Sequence, residues 1–277
     1  MPLLKEVTAV FKAYWGMAKN PFTKEIDEKD VFLSEDIRQV TQRLEHVRKY
    51  PGIAVITAYP GSGKTLGIRI FTSSLNPNMY KVVYMKITNV SETEFFRMLA
   101  EELGITPSYR KGDNIQKINE RMKKLARDQK IMPVIIVDDA QGIKKGSGYF
   151  LSFQEMLNFD MDSRDYAILV LSGPPVLNDT LSLEVNEAFN QRITVSCDLQ
   201  GLSGEEVREY VSSRMLLAGA SPEIFDPAAV TALYECSQKS VRRLNRLCKT
   251  ALLIGANNHA KTITADTVRE AAAEISL

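Results

Sequence analysis

Cysteine, histidine and tryptophan are all scarce in this chain of 277 residues, which has three, two and one of them respectively. The cysteines, Cys197, Cys236 and Cys248, are odd in number and lack the short paired spacing of a zinc site. That pattern fits reduced thiols acting as small buried side chains in a cytoplasmic protein. An excess of one charge is missing too: 35 Lys and Arg face 34 Asp and Glu, a net +1. Bulk electrostatics therefore argue for neither nucleic acid nor an acidic substrate, and any basic surface must be local. Nowhere do about 18 apolar residues run together, and the N-terminal MPLLKEVTAVFKAYWGMAKN has no unbroken apolar run of signal-peptide length. The expectation is a soluble, non-secreted protein that makes no membrane contact. Internal repeats, low-complexity tracts and a long Gly/Ser linker are absent as well.

What is present is 44% hydrophobic residues, enough for a large domain and a smaller one. Apolar, β-branched runs at 53–58, 81–87, 132–140 and 166–173 are continuous, the signature of buried parallel strands. Between them lie segments of helical period at 64–75, 91–103, 115–128 and around 150–159, with Ser91 and Glu94 spaced as a capping box. This alternation predicts an α/β fold, a parallel sheet with helices on both faces and a ligand at the carboxyl ends of the strands. After about residue 200 only helical patterns remain, at 203–217, 226–236, 241–257 and 265–275. The expected division is a lead-in with a helix at 1–50, a core at 51–201 and an all-helical domain at 202–277.

The stretch Ala58-Tyr59-Pro60-Gly61-Ser62-Gly63-Lys64-Thr65 leaves an expected strand and opens an expected helix, the context of a phosphate-binding loop. Gly61 and Gly63 let the backbone approach phosphates with its N–H groups turned inward, and the following helix adds its positive end. Lys64 suits the β and γ phosphates, the Thr65 hydroxyl suits Mg²⁺, and Leu66 closes the candidate ATP-binding segment. Ala58 stands where the strictest motif has glycine; only a left-handed backbone would penalise its methyl, by roughly 1–2 kcal/mol. The strand at 132–140 ends in two carboxylates. Asp138 is the candidate Mg²⁺ ligand and Asp139 the candidate base that orients the attacking water.

With both motifs in place, the chain resembles the AAA+ ATPases of the ExeA type. These include the stand-alone ATPases that accompany bacterial transposases, and the resemblance extends more distantly to the TnsC and MuB class of transposition regulators. It is carried, in order, by NPF, LEHVRKYPGIAVITAYPGSGKT, NPNMYKVVYM, PVIIVDDAQ, NFDMDSRDYAILVLSGPP, FNQRI and a helical stretch ending in VRRLNRLCKTAL. The resemblance implies that Arg192 reaches a neighbouring subunit's γ-phosphate and that Arg242 senses nucleotide in its own subunit, with Arg243 beside it leaving the register open. Two departures bear on rate. Asp138-Asp139 replaces the usual Asp-Glu, and Gly173-Pro174-Pro175 replaces Gly-Gln-Pro, so a polar sensor is missing unless Ser172 substitutes. Asp139 is one methylene short, roughly 1 Å, a displacement worth on the order of 10²-fold. Slow hydrolysis follows, suited to a switch.

The function implied is an ATPase whose ATP-dependent homo-oligomer binds double-stranded DNA and regulates or recruits a transposase. A ring or filament multiplies a few phosphate contacts per subunit. Arg110 and Lys111, with Lys144 and Lys145, lie on loops that related ATPases turn toward a central channel, or are ordinary solvated cations. No base-reading motif is visible, so little sequence choice is expected. Tyr14, Trp15, Phe22 and Tyr59 could stack on bases or adenine, though packing is the favoured role. Two other readings stay open. One is a secretion-apparatus assembly ATPase, whose membrane-spanning and peptidoglycan-binding extensions are not expected here. The other is a nucleotide-binding scaffold that hydrolyses nothing.

Overall fold

The computed structural model of the chain describes residues 11–23, 30–87, 90–143 and 148–276. Their contacts divide them into two units.

The sheet unit, Ile37–Ala58 with Lys64–Leu199, contains β1 (Ile53–Ala58), β2 (Tyr80–Lys86), β3 (Met132–Asp138), β4 (Ile168–Gly173) and β5 (Ile193–Leu199). All pair in parallel, in the order β2-β3-β4-β1-β5. The three inner strands are apolar at almost every position because both their faces are covered. Alternate residues point opposite ways. Val55, Val137 and Leu171 meet α3 (Glu92–Glu102), α4 (Lys111–Asp128) and α5 (Tyr149–Met156) through Phe95, Phe96, Ile118 and Phe153. Ile56, Ile136 and Val170 meet α1 (Glu35–Lys49) and α2 (Lys64–Ser74) through Val40, Leu44 and Phe71. Each such side chain contributes about 1.5–3 kcal/mol on full burial.

β5 and the short helix α6 (Val176–Leu181) were not expected from sequence. β5 is an edge strand in which Thr194, Ser196 and Asp198 are exposed while Val195, Cys197 and Leu199 are buried, so it lacks the continuous apolar run of its neighbours. β3 stops at Asp138, because Asp139 turns to φ 55°, ψ 41°.

The helical unit comprises the described residues up to Asp36, Tyr59–Gly63, and the described residues from Gln200 on. Its helices are α7 (Gly204–Leu217), α8 (Pro227–Ser237), α9 (Val241–Asn257) and α10 (Ala265–Ser276). Side-chain caps fix three starts: Ser203 in a reciprocal capping box with Glu206, Asp226 accepting from Ala229 N, and Ser240 accepting from Arg243 N. Trp15 and Phe22 are buried among Leu233, Leu247 and Leu252, with Trp15 Nε1 donating to Leu252 O at 2.8 Å. Tyr14 is half-exposed, its hydroxyl donating to Ala260 O. The segment before residue 36 thus supplies core to this unit, whereas Val40, Leu44 and Val47 of α1 pack on the sheet.

Candidate nucleotide site

The carboxyl ends of β1 and β3 bring together Lys64, Thr65 and Asp138 in the sheet unit. Thr65 Oγ1 donates to Asp138 Oδ2 at 3.1 Å. The same oxygen accepts from Tyr84 OH at 2.8 Å, and Oδ1 accepts from the Asp139 backbone N at 3.0 Å. Buried Ser172, one residue beyond the Val137–Leu171 pair in the β3–β4 register, faces this carboxylate outside ordinary hydrogen-bond geometry. Burial alone would push the Asp138 carboxyl up, but donation from Tyr84, Asp139 N and Thr65, with the nearby Ser172 hydroxyl, outweighs it and holds the group below the usual carboxylate range. Burial and the bond to Asp138 in turn push the Tyr84 hydroxyl well up, so it stays a donor. Sequence reasoning missed Tyr84. Its role follows from the β2–β3 register, in which Lys86 lies opposite Asp138 and Tyr84 stands two residues back on the same face of β2.

Asp139 sits in the left-handed region, which Asp tolerates better than a longer side chain. Its Oδ2 lies 3.4 Å from Lys86 Nζ, with both side chains about half exposed, so the pair is worth no more than about 1 kcal/mol. It can open readily.

Lys64 Nζ donates to Ala58 O at 2.9 Å, tying the two ends of the phosphate loop. Ala58 itself ends β1 with its methyl buried in the core, and it is not among the positive-φ residues. The methyl therefore costs no backbone strain. Just before it, buried Thr57 donates to Asp198 of β5, while Asn178 of α6 donates to both Thr57 Oγ1 and Asp198 Oδ1 at 3.1 Å. This network pins the strand end from which the loop departs.

Tyr59–Gly63 belong by their contacts to the helical unit. Gly61 has φ 85° and Gly63 φ 113°, conformations that glycine alone adopts freely. Gly61 O accepts from Arg242 N at 3.2 Å, Pro60 O accepts from Ser240 Oγ at 3.1 Å, and Ser62 Oγ donates to Tyr59 O at 2.8 Å. Tyr59 is 58% exposed. Arg242 is exposed, while Arg243 donates through Nε to Cys236 O, so the two neighbours have different surroundings.

Arg192 is elsewhere. Its guanidinium pairs with Asp162 at 2.6 Å, and it immediately precedes β5, whose Ile193 lies beside Ile53 at the start of β1. The phosphate loop leaves from the other end of β1, a separation on the order of 16 Å at about 3.3 Å per residue. Arg192 therefore cannot serve the site of its own sheet. Of the basic loop residues, Arg110 is exposed, whereas Lys111 is half-buried, paired with Glu92 at 2.8 Å and donating to Ser152 Oγ. Lys144 and Lys145 lie outside the described residues.

Asp138 and Thr65 offer two hard oxygens, one of them ionised, a donor set that fits Mg²⁺. Among the described residues no group of three His, Cys, Asp or Glu could hold a metal unaided. The remaining ligands of an ion here would be phosphate oxygens and water. Nor is any helix among the described residues long and apolar enough to cross a membrane.

A five-stranded parallel sheet in this order, a phosphate-loop sequence after its first strand, a β3 that ends in a carboxylate and a C-terminal helical region are the features of the P-loop AAA fold. Residues 47–181, from the end of α1 to the end of α6, match the AAA domain family. The chain is 24% identical over 273 residues, 96% of its length, to the General secretion pathway protein A of Aeromonas hydrophila. It spans about half (49%) of that protein. Solved structures of similar fold include Cdc6p from Pyrobaculum aerophilum, with a TM-score of 0.67, 14% identity, and coverage of 92% of this chain and 70% of that one. The ORC1 protein of Aeropyrum pernix in complex with DNA is similar with a TM-score of 0.62 and 17% identity, over 95% of this chain and 69% of that one.

Proposed function

We propose that the chain is an ATP-driven switch: it binds ATP·Mg²⁺ through Tyr59 to Leu66, assembles with copies of itself on duplex DNA, and in that form regulates or recruits a transposase. The observation that carries the nucleotide chemistry is the ionised Asp138 hydrogen-bonded to Thr65, in the first turn of the helix that follows the Gly61–Gly63 sequence in the chain. Lys64, now on Ala58 O, exchanges that acceptor for phosphate oxygens, and Asp138 with Thr65 would hold Mg²⁺, which neutralises charge developing on the phosphates. Asp139 orients the water and accepts its proton once Lys86 swings aside. Arg192 serves a neighbour's site, since its own is out of reach, and Arg242 reports on nucleotide from the helical unit. Assembly dominates because a single subunit of net charge +1 holds DNA weakly. Arg110 is the foremost DNA contact, with Lys144 and Lys145; Lys111 contributes only if its pair with Glu92 opens. Similarity to a protein solved in complex with DNA supports the choice of ligand.

A second reading, an ATPase serving a secretion apparatus, is favoured by the likeness to the Aeromonas protein over nearly the whole chain. Measuring phosphate release with and without duplex DNA separates them. Stimulation by DNA is expected for the switch; turnover indifferent to DNA favours the second reading, and ATP binding without turnover leaves a scaffold.

A further inference from the structure

The segment that joins α3 to α4 holds one aromatic side chain almost wholly in water. Tyr109 is 98% exposed, more than any other large hydrophobic side chain among the described residues. Its backbone is nevertheless fixed on both sides. Asn114 of α4, fully buried, accepts from Ser108 N through Oδ1 at 2.7 Å and donates through Nδ2 to Ser108 O at 2.9 Å. Its own backbone N donates to Arg110 O at 3.3 Å. Lys117 Nζ adds bonds to Ser108 Oγ at 2.6 Å and to Thr106 O at 3.3 Å. A buried amide must find partners, and this one finds them on the loop, which stiffens it. Around the ring the chain is polar, small or charged: Thr106, Arg110, Gly112 and Asp113 are exposed, and a methyl added at Gly112 would meet nothing within 4 Å. The charges are mixed. Lys111 is paired with Glu92, Lys123 with Asp160, and Arg97 with Glu94 and Glu101. Beyond these pairs, Arg110, Lys117, Arg121 and Lys124 stand against Glu102, Asp113 and Glu120, a small positive excess.

We propose that Tyr109 is a base-stacking wedge: its ring enters a locally opened duplex and packs on a base, while Arg110 and Lys117 hold the flanking phosphates. The proposal rests on the DNA-binding reading and deepens it by naming the residue and the mode of contact. Three features select this ligand. An aromatic anchor for a protein pocket is surrounded by further contacts that exclude water, whereas Tyr109 has only polar and charged neighbours along the chain. A base offers a planar face bordered by phosphates, and stacking on it tolerates any sequence, in keeping with a chain that shows no base-reading motif. A rigid ring on a fixed backbone also loses little freedom on binding. Entering a duplex costs unstacking, least at pyrimidine–purine steps and at mismatches. Tyr109 would thus give the chain a preference for deformable DNA without reading a base edge.

The test is fluorescence anisotropy with a non-hydrolysable ATP analogue, on a matched duplex and on the same duplex carrying one central mismatch. The proteins are the parent, Tyr109→Ala, Tyr109→Phe and Tyr109→Trp, and the exposure of Tyr109 leaves folding insensitive to all three changes. The parent should favour the mismatched duplex. Tyr109→Ala should bind both duplexes about tenfold more weakly or worse and lose the preference, while Tyr109→Phe, which keeps the ring, should stay within about twofold of the parent. Duplex DNA should quench the tryptophan added in Tyr109→Trp, which is read against buried Trp15, the chain's single tryptophan. Tyr109→Ala binding as the parent does, Tyr109→Phe failing as Tyr109→Ala does, or Tyr109→Trp fluorescence unmoved by DNA overturns the stacking and leaves the DNA reading in place. So does a Tyr109→Ala protein that fails to assemble with the ATP analogue when no DNA is present, an outcome that assigns the ring to a protein contact. A parent that binds neither duplex overturns the DNA reading and this inference with it.

Discussion

Thr65 Oγ1 and Asp138 Oδ2 lie 3.1 Å apart although 73 residues separate them in the chain. The bond joins the first turn of α2 to the end of β3, and a hydroxyl that donates to a carboxylate favours its ionised form. Tyr84 donates to the same oxygen. Tyr84→Phe removes one of the donors that orient Asp138 and leaves a half-exposed ring in place, so folding should be little changed. About tenfold more Mg²⁺ should be needed for half-maximal phosphate release. A magnesium titration of the variant checks this, with unchanged dependence as the contrary result.

At the loop, neither adding a methyl at Gly61 nor removing the one at Ala58 should improve the protein. Gly61→Ala places a methyl at φ 85°, 2.6 Å from Ser240 Oγ and 2.8 Å from Arg242 Cβ, both within the helical unit. A left-handed alanine costs about 1–2 kcal/mol before the contacts are counted, and nucleotide binding should weaken with it. Ala58→Gly restores the strict motif yet removes a buried methyl from a strand, so it should lose about 0.5–1 kcal/mol and gain no affinity. Thermal melts with and without ATP check both.

Asp139→Asn keeps a residue that accepts the left-handed backbone and removes the base. Phosphate release should fall at least about 10²-fold while ATP affinity stays within a few-fold. Filter binding and a phosphate assay on the same protein separate the two effects.

The three inner strands and the phosphate loop were legible because burial on both faces forces continuous apolar runs and because the loop's glycines are spaced by the backbone they must permit. β5 was not, since an edge strand alternates Thr194, Ser196 and Asp198 with its buried residues. Tyr84 was invisible for a related reason: an exposed tyrosine acquires meaning only from the β2–β3 register that sets it on the face of β2 nearest Asp138. Lys111 looked like a loop cation in sequence, but the first turn of α4 brings it to Glu92 and Ser152. Spacing reveals periodicity; it does not reveal which tertiary partner a polar side chain finds.

Arg192→Ala should leave ATP affinity unchanged and lower turnover by about 10³-fold or more, the scale of an arginine supplied in trans. Because the lost guanidinium belongs to a neighbour's site, adding Arg192→Ala to Lys64→Ala should recover some activity: the Arg192→Ala subunits bind ATP and the Lys64→Ala subunits supply the arginine. No recovery over a range of mixing ratios contradicts action between subunits.

Cys248 is fully buried, and burial pushes its thiol well above the ordinary range. A group whose pKa is raised on folding gives its full stabilisation below the unfolded value, about 8.5, and loses it as pH rises toward the folded one. Melting temperature should decline above about pH 8.5, and Cys248→Ala should flatten that part of the decline. Native protein should resist thiol reagents at Cys248.

The most direct measurement of the central claim is sedimentation of the protein with duplex DNA in ATP analogue, in ADP and without nucleotide, alongside Lys64→Ala. The account predicts large protein–DNA assemblies with the ATP analogue alone, none with Lys64→Ala, and loss of the assemblies as salt is raised. Assemblies of equal size in all three nucleotide states, or with Lys64→Ala, would contradict it.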